Sequence, residues 1–209
     1  MISLRLSHSQ KNTLGSAAKR YAQNIHLAEA YLAERNISLD AAKQAGLGVV
    51  SDPITGHEHV QGRLSIPYIT STGVVDIRFR TLTGEEPKYM GLAGAKTHMY
   101  NVRALLEAVD DVAICEGEID AITLHYMVGI PAVAIPGAQS WKKHYRRMLQ
   151  DFERVYVFGD GDKAGHDFSR TIAREISTAL VVNMPDGEDV NSMYTKNGSG
   201  FFFEKVKYE

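Results

Sequence analysis

Cysteine is almost absent: Cys115 is the single thiol in 209 residues. One thiol rules out an internal disulfide framework and any cysteine-rich zinc module. Long apolar runs are missing too. No stretch approaches the roughly 18 consecutive apolar residues of a membrane span, and the N-terminus lacks the apolar run of about 7–15 residues found in secretory signals. These absences predict no membrane partner and a reducing, cytoplasmic compartment. No Gly-x-x-x-x-Gly-Lys-Ser/Thr segment occurs, which excludes a Walker A nucleotide motor. Neither sign of charge dominates, the formal net charge being −2. A protein that coats nucleic acid is usually basic, so any polyanion here must be held by a local cluster. The eight histidines are scattered, only His57 and His59 lie close together, and none falls in a metalloprotease pattern.

What is present is ordinary in bulk, 44% hydrophobic and 23% charged, and long enough for one large domain or two small ones. Ser16 reads as the N-cap of a helix whose apolar stripe (Ala18, Tyr21, Ala22, Ile25, Ala28, Leu32) runs to Arg35. Ser38 then caps a second short helix through Ala45. After a loop over 51–62, Arg63 to Ile69 and Val74 to Leu82 read as a β-hairpin turning at Ser71-Thr-Gly73. In its second strand Asp76, Arg78 and Arg80 share a face opposite Val75, Ile77 and Phe79, and that face is expected to be wet. Residues 101–108 read as a short connecting helix.

Beyond Asp110-Asp111 the pattern becomes strict strand–helix alternation. Strands are expected at 112–115, 131–135, 154–158 and 179–184, and helices at 119–127, 140–149 and 164–177. Short apolar strands separated by helices imply a parallel sheet with helices on both faces. The fold class is therefore α/β, preceded by a smaller mixed α+β basic subdomain. The composition shift places the boundary between 1–108 and 109–209.

Two of these strands end in acid. The first runs into Cys115-Glu116-Gly-Glu118-Ile-Asp120, the third into Asp160-Gly-Asp162-Lys-Ala-Gly165. Two carboxylates about 4 Å apart repel by roughly 1 kcal/mol in water and about 4 at an effective dielectric near 20. A bound cation relieves that cost. Right-handed crossovers put all these strand ends on one sheet edge, so Glu116 can face Asp160 and Asp162. Oxygen ligands of this kind suit Mg²⁺ or Mn²⁺ rather than Zn²⁺. Glu118 and Asp120 equally suit helix-dipole partners. Further acids, Asp186, Glu188 and Asp189, follow the fourth strand. The densest positive run is Trp141-Lys142-Lys143-His144-Tyr145-Arg146-Arg147, which fits either a nucleic-acid contact or a solvated helix face. Trp141 and Tyr145, four residues apart, fit a core better than a stacking platform.

Glu116-Gly-Glu-Ile-Asp120-Ala followed by Asp160-Gly-Asp162-Lys-Ala-Gly165 resembles the TOPRIM domain of DnaG-type and phage primases. Upstream, Tyr31 to Gly48, Arg63-Leu-Ser-Ile-Pro67, Gly73 to Arg80 and Pro87-Lys88-Tyr89 resemble the segment that precedes TOPRIM in primases. The resemblance covers residues 27–195. It implies a DNA-dependent RNA primase, a nucleotidyltransferase acting with single-stranded DNA and NTPs, and working beside a replicative helicase or other replisome protein. It further implies catalytic metals, two Mg²⁺ or Mn²⁺ ions about 4 Å apart, held by Glu116, Asp160 and Asp162 and joined by Asp189 and Asp120. Glu116 has an alternative role as general base. Lys88 would act at the reacting phosphates, with Arg63, Arg78, Arg80, Lys142 and Lys143 as nucleotide or DNA contacts. The zinc-binding and helicase modules of larger primases are not in this sequence, which points to a phage or plasmid protein in the cytoplasm of a bacterial cell or phage-infected host.

Three alternatives compete. A TOPRIM nuclease explains the acids but not the region from Arg63 to Lys88. A haloacid-dehalogenase-like phosphatase also ends a strand in Asp-x-Asp, but Lys163-Ala164 departs from its pattern. A non-catalytic replisome accessory protein leaves the acids unexplained.

Overall fold

The computed structural model describes residues 6–92, 94–137 and 140–206. It divides into two compact units, Met1–Lys96 and Thr97–Glu209. The division falls before the composition shift at 108/109. Residues 97–108 belong with the second unit because Tyr100 bridges Ala134 and Ala104 is fully buried in that unit's core.

In the first unit three helices, α1 (His8–Ala22), α2 (Glu29–Glu34) and α3 (Leu39–Gln44), accompany a four-stranded antiparallel sheet. Its strands are β1 (Gly48–Val49), β2 (Leu64–Thr70), β3 (Gly73–Arg80) and β4 (Tyr89–Met90), in that spatial order. The first helix begins well before the expected Ser16. Ser7 and Gln10 form a capping box, Ser7 Oγ accepting the Gln10 N–H at 3.2 Å and Gln10 Oε1 accepting the Ser7 N–H at 2.8 Å. The stripe to Arg35 is also interrupted at Gln23–Asn24, after which a single 3-10 turn leads into α2. Its residues Tyr21, Ile25, Ala28 and Leu32 are nonetheless all buried. Ser38 caps α3 as expected, accepting the Ala41 N–H at 3.1 Å.

The hairpin is β2–β3, with Thr70 opposite Gly73. Ile77 and Phe79 point into the core with Leu14, Ala17 and Tyr21 of α1. The opposite face is not wet. Asp76 and Arg80 are only 5% and 6% exposed, and Tyr31 and Tyr89 cover the Arg80 guanidinium.

The second unit alternates α4 (Ala104–Glu107), β5 (Asp111–Cys115), α5 (Glu118–Ile122), β6 (Ala132–Ala134), α6 (Lys143–Leu149), β7 (Arg154–Gly159), α7 (Lys163–Glu175), β8 (Ala179–Asn183), α8 (Val190–Asn197) and α9 (Gly200–Lys205). A π-helical turn, Thr123–Val128, continues α5. The sheet is entirely parallel in the order β6-β5-β7-β8. Val112, Ile114, Val155 and Val157 pack on one face against Tyr145 and Leu149 of α6 and Phe168 and Ile172 of α7. On the other face the rings of Phe158 and Phe202 of α9 lie 6.0 Å apart. Helices thus flank both faces, and the carboxyl ends of β5 and β7 open at one edge. Among the described residues no helix is long and apolar enough to cross a membrane.

Candidate metal-binding site

Glu116 follows the last residue of β5 and Asp160 the last residue of β7, strands that pair in register up to Cys115 opposite Phe158. Parallel pairing sets the two acids side by side. Glu116 Oε1 accepts the Asp160 backbone N–H at 3.0 Å. Burial pushes the Glu116 pKa upward, and the charge of Asp162 adds to the rise against the pull of that N–H. Asp162 is exposed and caps α7, its Oδ1 accepting the Gly165 N–H at 2.8 Å. Asp189 caps α8 in the same way, Oδ1 accepting the Ser192 N–H at 2.7 Å. Both caps leave Oδ2 without a hydrogen-bond donor among the described residues.

Buried Cys115 reports how these groups converge. Burial raises its thiol pKa well above the usual value, and the carboxylates of Asp120, Asp160, Glu116 and Asp189 each push it further. Four acids therefore act on one point at the end of β5. None of Glu116, Asp162 and Asp189 forms an ion pair with a basic side chain among the described residues. Two nearby lysines are committed elsewhere, Lys163 to Asp167 at 3.3 Å and Lys196 to Glu188. The Lys196 and Ser192 contacts hold the Glu188 carboxyl below its ordinary pKa.

Asp120 is placed differently. It is 7% exposed, and its Oδ1 accepts the Asn191 N–H at 3.0 Å, while Asn191 Nδ2 donates to Thr123 Oγ1 at 3.0 Å. That contact ties α5 to the first turn of α8 and so sets where Asp189 begins its helix. Gly161 and Gly165 hold this edge by close backbone approach. A Cβ on Gly161 would lie 1.8 Å from the Pro185 carbonyl oxygen, and one on Gly165 2.1 Å from that of Asp160. Gly161 also exchanges backbone hydrogen bonds with the next loop, its N–H donating to Glu188 O at 2.8 Å and its carbonyl accepting from Gly187 at 2.7 Å. The contact brings the loop carrying Asp160 and Asp162 onto the loop that leads into Asp189. The spacing Asp-Gly-Asp-x-x-Gly carried that signal; the tie from Asn191 to Asp120 had none in sequence.

The donor set is all oxygen, it is negatively charged, and its like charges lack a basic partner. That chemistry fits a hard divalent cation. Among the described residues no three His, Cys, Asp or Glu side chains form a group that could hold a metal ion as they stand.

The expected basic contacts separate into used and open groups. Arg80 is buried, its guanidinium bonded to the Tyr89 hydroxyl and lying 5.7 Å from the Tyr31 ring centre. Arg78 lies over the Tyr89 ring at 4.6 Å and remains half-buried. Arg63 donates to the Pro87 carbonyl at 2.8 Å and braces that loop. Lys88 is exposed, with its side chain unengaged among the described residues. In the second unit the Lys142 ammonium is bonded to the Thr97 carbonyl, whereas Lys143 projects into solvent. Trp141 and Tyr145 pack with the core, their rings 6.0 Å apart, as expected.

Residues 113–194 match the family model described as Toprim-like. The chain is 41% identical over 151 residues to the Gene 57 protein of Mycobacterium phage D29, covering 70% of this chain and 99% of that one. It is 28% identical over 210 residues to the DNA primase of Synechococcus elongatus, covering 90% of this chain but 30% of that one. The curated primases it matches are thus about three times longer than the region shared with this chain. The RNA polymerase domain of Mycobacterium tuberculosis primase DnaG superposes with a TM-score of 0.77 at 23% identity, over 96% of this chain and 84% of that one. That likeness establishes the shared fold. With the Toprim-like match and the phage relative matched over almost its whole length, the conclusion is that this chain belongs to the TOPRIM family and has the fold of a primase catalytic core.

Proposed function

We propose that this chain is a primase catalytic core that synthesises short oligoribonucleotides on single-stranded DNA from NTPs. The observation that carries the reading is the joined end of β5 and β7, where Glu116 accepts the Asp160 N–H and feels the charge of Asp162. Metal dependence goes with the family, and the oxygen donor set favours Mg²⁺ or Mn²⁺, two ions in this reading. Bound there, such cations would supply Lewis-acid activation of a 3′-hydroxyl and charge neutralisation at the leaving pyrophosphate.

The protein's own residues divide the remaining work. Asp160 and Asp162 would hold the cations, and Asp189, whose Oδ2 accepts no hydrogen bond among the described residues, would join them from the neighbouring loop. Glu116 either shares that task or takes the proton from the attacking hydroxyl, for which an upward-shifted pKa suits it. Asp120 positions α8 rather than binding metal. Lys88, exposed and unengaged, neutralises substrate phosphates; Arg63 and Arg78 shape the loop and strand that present it; and Arg80 is structural. A replicative helicase or other replisome protein would supply the start site.

The test is incubation with labelled NTPs, single-stranded DNA and Mn²⁺, read on a sequencing gel. A ladder of short oligomers that requires the template is expected. Cleavage of the DNA with no ladder would sink primer synthesis and assign a nuclease instead.

A further inference from the structure

The second unit is acidic, and several of its basic side chains are neutralised locally. Arg154 pairs with Asp111, Lys163 and Arg170 with Asp167, and Lys196 with Glu188. Helix α6 breaks that rule. Lys143, Arg146 and Arg147 are exposed, and among the described residues none makes an ion pair or side-chain hydrogen bond. Lys143 lies three and four residues from Arg146 and Arg147, so it shares a helix surface with each and like charges repel there. The helix dipole favours Arg146 and Arg147 in the last turn, but it disfavours Lys143, the first helical residue, in a first turn that holds no acid. The helix itself is firmly anchored, with Tyr145 and Leu149 only 3% and 0% exposed in the core. Like charges are thus held together on a fixed platform that points them at solvent.

We propose that the outer face of α6 is a nucleic-acid contact, with Lys143, Arg146 and Arg147 taking phosphates along a DNA backbone without reading its bases. The inference rests on the reading of the chain as an enzyme of nucleic acid. Phosphodiester is favoured over an acidic protein because, among the described residues, the face lacks an apolar anchor of the kind protein interfaces bury; of these, only Met148, 39% exposed, flanks it. Bases are not stacked, since the Tyr145 ring is buried and the His144 ring is turned onto it at 4.4 Å. Lys142, bonded to Thr97, stands apart from the set.

The experiment is fluorescence anisotropy of labelled oligo(dT) over a salt series, without NTP or divalent metal. Wild type is compared with K143A/R146A/R147A and with the charge-matched control K19A/K43A/K205A, folding being checked by circular dichroism. Loss of three contacts at roughly 0.7 each should make the log–log salt slope shallower by about 2, with affinity falling roughly tenfold, while the control keeps the wild-type slope. A slope unchanged in the α6 variant, or equally reduced in the control, would overturn the proposal. So would competition by polyglutamate as strong as that by unlabelled oligo(dT), which would make α6 a protein-docking face. Primer synthesis can fail independently: no NTP incorporation beside an intact α6 salt slope refutes that reading alone.

Discussion

The two units spend their charges in opposite ways. The first carries 11 Lys and Arg against 8 Asp and Glu, a balance of +3, and the second 12 against 17, a balance of −5. In the basic unit the excess is partly internal: Arg80 is buried between Tyr31 and Tyr89, and Arg78 lies on the Tyr89 ring. Cation–π contacts of this kind strengthen as water is excluded, so these arginines hold β3 and β4 together before they can meet a ligand. In the acidic unit part of the excess lies at one sheet edge, where Glu116, Asp162 and Asp189 have no basic partner among the described residues. Charge that is satisfied internally builds the fold, and charge left unsatisfied marks where a ligand of opposite sign belongs.

The largest effect that should separate the units is on chemistry. Asp160→Asn or Asp162→Asn should lower nucleotide incorporation by about a hundredfold or more, while DNA affinity measured without metal does not fall. A proportional loss of DNA binding would erase the division of labour.

Gly161→Ala should come next. Its Cβ has no room against the Pro185 carbonyl, so the two acidic loops must part, at a cost of about 2–4 kcal/mol in urea unfolding. An undisturbed midpoint would show that the loops are not held together there.

A smaller contrast lies within the basic unit. Arg80→Ala should destabilise by about 2 kcal/mol, since it empties a buried stacked site. Lys88→Ala should change stability by no more than about 0.5 kcal/mol yet weaken DNA binding. Equal effects on stability would blur structural and ligand-facing cations.

The smallest effect is a pH dependence. A carboxyl whose folded pKa lies above its unfolded value contributes stability below the unfolded pKa and loses it as pH rises through the folded one. Burial, with the charge of Asp162, raises Glu116 in this way. In metal-free protein, Glu116→Gln should therefore gain in melting temperature relative to wild type as pH rises from acid toward neutral. A gap that shrinks over that range would contradict the assigned cause.

Much of the second unit was legible in sequence because buried parallel strands are short apolar runs, and Val112 to Cys115 and Val155 to Phe158 could be little else. The acids at their ends were legible for the same reason: a strand end fixes where the next residue projects. The first unit was harder to read. Ser16 resembled an N-cap but lies inside α1, and the capping box at Ser7 and Gln10 was the better signal. The alternation in β3 correctly grouped Asp76, Arg78 and Arg80 on one face. Alternation says nothing, however, of what covers a face, and Tyr31, more than forty residues earlier in the chain, covers this one. Long-range contacts made by single side chains, such as Asp120 to Asn191, leave no periodic trace.

The central claim is that the edge at Glu116, Asp160 and Asp162 binds a hard divalent cation. Titration of the protein with Mn²⁺, followed by the electron paramagnetic resonance signal of the free ion, addresses it without reference to any activity. Wild type should deplete free Mn²⁺ at neutral pH and Asp160→Asn should not, while Lys88→Ala matches wild type. Equal depletion by wild type and Asp160→Asn would contradict the account.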